Sequence, residues 1–152
     1  MFKVLFETNF LVAIANVVMA ILAIMAAKIA IKQLNNSKSE SRIATAKNAY
    51  QEYLKLCFDY PMFADGNEIE IKRNADDYKK YRWFVAKMLY SFEQIIESLG
   101  NDKGWEDTIQ SQLKYHAWHL SKSSSVKRGD WDSHLTKLIN NAIKEKCCNC
   151  NS

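Results

Sequence analysis

The sequence predicts an all-α protein: one N-terminal transmembrane helix followed by a small cytoplasmic helical bundle. Three observations carry this. Phe10–Ala27 is apolar throughout except for Asn16. Downstream, apolar residues recur at steps of three and four, the spacing of one helix face. One Pro and four Gly in 152 residues are few for an all-β chain, which needs many turns.

The apolar character resumes past Lys28 at Ile29, Ala30 and Ile31. A hydrocarbon core of ~30 Å needs about 20 helical residues, and residues 10–31 supply them if Lys28 snorkels to the interface. A secretory signal peptide would have a shorter apolar core and small residues at its cleavage site, where Lys28, Ile29 and Ile31 stand here. Lys3 and Glu7 precede the span, whereas Lys28, Lys32, Lys38, Arg42 and Lys47 follow it. The positive-inside rule then predicts a single-pass inner-membrane protein with its C-terminal domain in the cytoplasm. Asn16 seeks a partner inside the membrane, and Ala13, Ala20, Ala23, Ala26 and Ala27 offer small surfaces for another helix. Residues 1–39 are thus the anchor and juxtamembrane segment, 40–146 the helical domain, and 147–152 a cysteine-containing tail.

Four helical segments are expected in the domain. The first repeats Ile43, Ala46, Tyr50, Leu54 and Cys57 and stops before Pro61, with Asn35-Asn36-Ser37 as a break or as the membrane surface. The second carries a heptad seam of Tyr78, Tyr81, Val85, Met88, Phe92, Ile95 and Leu99, widened by Phe84, Leu89 and Ile96. Asn74 is its expected N-cap and Gly100 its stop. The third runs from Trp105 to about Leu120, and Ser121–Gly129 reads as a polar loop. The fourth begins after Asp130, as N-cap, and aligns Trp131, Leu135, Leu138, Ile139, Ala142 and Ile143. Between the first two, Ile69 and Ile71 alternate with charges, as in a short strand.

The net charge of +4 favours phosphates or anionic lipid. Basic residues Lys72, Arg73, Lys79, Lys80, Arg82 and Lys87 interleave with Tyr78, Tyr81, Trp83 and Tyr90. Guanidinium forks hold phosphate oxygens and exposed rings stack on bases, which makes Arg73, Arg82, Trp83 and Arg128 the candidate ligand-binding residues. A solvated charged face, with Asp76 and Asp77, is the plainer reading of the same stretch. His116 and His119 have a metal-chelating spacing, but no acid or third histidine stands at ligand distance, so a core or surface role is expected. Cys57, Cys147, Cys148 and Cys150 are expected as free thiols, and the tail as frayed. No cofactor, resident metal or catalytic residue is expected.

Arg128 and His134, with five residues between them, resemble the Arg-x(4–6)-His motif of HEPN ribonucleases, although Gly129 follows the arginine and a loop is expected there. The whole layout resembles the small membrane effectors of bacterial antiviral defence that accompany type III CRISPR systems. Phe10–Ala27, Ala49-Tyr50-Gln51-Glu52-Tyr53-Leu54, Cys57-Phe58-Asp59-Tyr60-Pro61 and Tyr81-Arg82-Trp83-Phe84-Val85 carry the likeness. It implies a non-enzymatic homo-oligomer that recognises a cyclic oligonucleotide, cyclic tetra-adenylate in that family, and acts on membrane lipid. A membrane-anchored protein-interaction module without small ligand and a HEPN-like membrane-tethered ribonuclease are the alternatives.

Overall fold

The computed structural model describes the backbone of residues 2–100 and 102–149, and side chains within 12–100 and 102–146. The side chains of Lys3, Glu7 and Phe10 and of the tail cysteines Cys147, Cys148 and Cys150 lie outside the described residues. All regular structure among the described residues is helical. The chain divides into two units, the first ending at Ser41 and the second beginning at Arg42.

Helix α1 spans Phe2–Asp59 and passes through Asn35-Asn36-Ser37 unbroken. In the first unit Val12, Val17, Met19, Leu22, Ile24 and Met25 are all exposed. The helix is long and apolar enough to cross a membrane, and none of its apolar window is buried. In the second unit α1 turns Ala46, Ala49, Tyr53 and Leu56 into the core, at steps of three and four.

Pro61, which has no N–H to continue α1, opens the short helix α2 (Pro61–Ala64) instead. Helix α3 (Glu68–Lys72) follows, capped by the Asn67 side chain, which accepts from the amides of Ile69 and Glu70. The strand expected around Ile69 and Ile71 is therefore a helical turn. Residues two apart on a helix lie about 200° apart, so Ile71 is buried while Ile69 is exposed. Alternation over three positions fits either structure.

Helix α4 (Ala75–Leu99) is the spine of the second unit. Asn74 Oδ1 accepts from Asp76 N at 2.9 Å, and Asp76 and Asp77 complement the N-terminal dipole. Tyr81, Phe84, Val85, Met88, Leu89, Phe92, Ile95 and Ile96 are buried, as their spacing predicts, and α4 ends at Gly100. Each fully buried aliphatic or aromatic side chain contributes about 1.5–3 kcal/mol.

The segment expected as one helix from Trp105 to Leu120 is two: α5 (Lys103–Tyr115) and α6 (Ala117–Leu120), separated at His116. The break has a tertiary cause. Gly66 packs against the Tyr115 carbonyl, Trp118 Nε1 donates to the Gly66 carbonyl at 2.7 Å, and His116 bonds to Tyr81.

The expected loop 121–129 contains a further short helix, α7 (Ser124–Arg128), closed by Gly129 in the left-handed region. Helix α8 (Ser133–Asn149) starts later than expected. Asp132, not Asp130, caps it: its Oδ1 accepts from His134 N at 2.7 Å and Leu135 N at 3.3 Å. Asp130 pairs with Arg128 instead. Leu135, Leu138, Ile139 and Ala142 of α8 complete the core with Ile109 and Leu113 of α5.

Candidate anion-binding groove

The outer edge of α4 and the segment after α6 enclose a groove of about 530 Å³. Tyr78, Lys79, Arg82, Trp83 and Ala86 line it from α4; His119, Lys122 and Ser123–Ser125 line it from the other side. That volume lies within the usual range of ligand sites. The lining holds three cations, Lys79, Arg82 and Lys122, and no carboxylate. Lys79 and Lys122 have acidic neighbours outside the lining, Asp76 at 2.9 Å and Glu68 at 3.4 Å. Both pairs are exposed and exchange readily with another anion. Arg82 has no ion-pair partner among the described residues and leaves its fork free.

Trp83 is 79% exposed, an unusual position for the largest apolar side chain. Its ring also borders a second depression floored by Leu56, Phe63 and Phe84 and edged by Lys80 and Lys87. A stacking surface thus stands between two sets of lysines.

Beneath the groove lies a buried aromatic cluster. Tyr81 stacks on Trp118, with centroids 5.3 Å apart, and its hydroxyl lies 2.8 Å from His116 Nδ1. Burial raises the Tyr81 phenol pKa, so the hydroxyl keeps its proton. Burial above all lowers the His116 and His119 imidazoles to about 4, helped at His116 by His119 and Lys146 and at His119 by Arg82, Lys122 and Lys72. Both are neutral at pH 7, and Tyr81 can donate to His116 Nδ1. His116 Nε2 and His119 Nδ1 are enclosed without hydrogen-bond partners.

Of the four residues singled out by sequence, Arg82 and Trp83 line the groove. Arg73 is an exposed residue capping the end of α3, outside the groove. Arg128 closes α7 and is held by Asp130 through Nε and Nη2, also outside it. His134 Nε2 sits 3.0 Å from Glu106 Oε1, a contact off the axis of a hydrogen bond. Arg128 and His134 therefore engage different carboxylates. Among the described residues no group of three metal-ligating side chains converges; His116 caps the short helix α6 that carries His119. Sequence reasoning did not connect Lys122, Ser123–Ser125 or His119 to this site. The polar run after Leu120 marked a loop, but nothing local says that it folds against α4. Cys57 is a free, half-buried thiol whose pKa burial raises.

Comparison with known proteins adds no relative: no family model, no curated protein and no solved structure matches this chain.

Proposed function

We propose that this protein is a membrane-anchored sensor whose helical domain binds a phosphate-bearing nucleotide in the α4 groove. The observation that carries the reading is the lining itself: three cations without a carboxylate, beside an exposed tryptophan. Cations hold phosphates and an exposed indole stacks on a base. The likeness to membrane effectors of antiviral defence narrows the ligand class to cyclic oligoadenylates, and makes the response a change in how the membrane helices pack. No catalytic role is assigned to the groove.

Calorimetry on the full chain in detergent, with a panel of cyclic oligoadenylates, tests this. Arg82→Ala is expected to cost roughly 1.5–3 kcal/mol of binding, the scale of a hydrogen bond to a charged group. Trp83→Ala should lose about 1–3 kcal/mol through stacking. Arg73→Ala and Arg128→Ala, outside the groove, should retain affinity. If no panel member binds the unmodified protein, the sensor reading fails. The anchored interaction module then takes its place.

The anchor supports assembly. On α1, Ala13, Asn16, Ala20, Ala23, Ala27 and Ala30 follow one another at alternating steps of three and four. Such a seam lets helices approach closely, and the Asn16 amide can bond across it. One helix cannot form a pore, so action on the membrane requires a multimer. Mass measurement in detergent across a concentration series should give at least a dimer; a strict monomer with and without ligand excludes the effector mechanism. The basic flank after Ile31 supports a cytoplasmic domain. A reporter fused after Ser152 should work only if it functions in the cytoplasm, and periplasmic activity would reverse the topology.

A further inference from the structure

His119 forms part of the groove wall yet is only 6% exposed. Three aromatic rings meet it edge-on: Tyr78 at 5.9 Å, Tyr81 at 5.2 Å and Trp118 at 5.5 Å between centroids. These rings fix the plane of the imidazole. Its Nδ1 is enclosed without a partner, which leaves Nε2 as the nitrogen able to meet a ligand.

The charges around it are unbalanced. Arg82 of α4, Lys122 after α6 and Lys72 of α3 all act on the ring as cations. Glu68 of α3 is the neighbouring acid, and it is engaged by both Lys72 and Lys122. Tyr78 and Tyr81 face it from α4, and His116, at the head of α6, is neutral and bonded to Tyr81. From α8, Lys146 acts on His116. An empty groove thus opposes an imidazolium at this position twice, by burial and by like charge.

We propose that His119 is the proton-taking partner of the groove: an anion held by Lys79, Arg82 and Lys122 draws a proton from solvent onto the imidazole. Phosphate-class ligands then bind with proton uptake and more tightly below neutral pH. This rests on the groove being the anion site. The incoming anion offsets the field of Arg82 and Lys122 and supplies the counter-charge that the pocket lacks. No covalent bond changes; the proton comes from bulk water and returns when the anion leaves. The linkage is confined to acid conditions, because at alkaline pH the imidazole stays neutral with or without ligand.

The test is to follow the histidine side-chain NMR signals of the full chain in detergent micelles between pH 4 and 8. Inorganic sulfate, a dianion across this range, replaces chloride at constant ionic strength. His119→Gln and His119→Asn identify the signal by its loss. The expected result is that sulfate raises the His119 titration midpoint by about one pH unit or more. In Arg82→Gln the sulfate-induced rise should shrink or vanish. If the amides of Lys79, Arg82 and Lys122 respond to sulfate while His119 does not titrate differently, the proton linkage is wrong and the groove stands. If neither responds, no anion enters, and the groove reading fails together with the linkage.

Discussion

Acidification from pH 6.5 towards 4 is expected to unfold the helical domain, because two of its core histidines cannot take up protons there. His116 is fully buried and His119 nearly so, and burial holds both near 4. In the unfolded chain each titrates near the ordinary histidine value of about 6.5. Within that window the unfolded state therefore binds more protons, and stability falls as pH falls. Above it these two residues contribute no further pH dependence. Each uncompensated proton corresponds to about 1.4 kcal/mol per pH unit, so the pair gives a slope of up to ~2.7 kcal/mol per unit. That is steep for a domain with a total stability on the order of 5–15 kcal/mol. Tryptophan-detected unfolding of the full chain in detergent, at pH 7 and pH 5, measures the loss. Histidine NMR signals assign it: in the folded, ligand-free protein neither His116 nor His119 should be protonated at pH 5. A midpoint near 6.5 for both would remove the cause.

Gly66→Ala is expected to be the most damaging small substitution in the domain. Gly66 has φ +63, a region that other residues enter at a cost of about 1–2 kcal/mol. A Cβ there would also meet the Tyr115 carbonyl oxygen at an impossible distance, and Tyr115 is backbone that cannot swing away. Moving it would disturb the Trp118 bond to the Gly66 carbonyl and the placement of His116 against Tyr81. A loss on the order of 3 kcal/mol is expected, in the upper part of the range for single substitutions. Gly129→Ala is the control. Its φ of +72 carries the same conformational penalty, but nothing lies within 4 Å of its added Cβ. The comparison by thermal unfolding isolates the steric part. Equal losses at the two positions would mean that the Gly66–Tyr115 approach is unimportant.

How far the sequence could be read depended on whether a feature is local. A helix long and apolar enough to cross a membrane needs only length and composition, and α4 needs only its own spacing and its Asn74 cap, so both were legible. Boundaries set by competing local signals were not. Asp130 and Asp132 are equally good caps by type, and the choice falls to Asp132 because Arg128 takes Asp130 and the Trp131 indole bonds to Ser125. The α5–α6 break likewise reflects Gly66 and Tyr81, distant in sequence and adjacent in space.

The candidate site divides in the same way. Arg82 and Trp83 were readable because the α4 heptad commits Tyr81, Phe84 and Val85 to the core and leaves those two on the rim. By itself, then, the sequence determined an all-α chain with a span-length apolar helix and a basic, aromatic edge on α4. Only the tertiary structure decided that Lys122 and Ser123–Ser125 close over that edge, that Arg73 and Arg128 stand apart from it, and that His119 is sealed into the wall. Periodicity records which face of a helix avoids water. It does not record which distant segment covers that helix, and the charge balance of a groove depends on both sides.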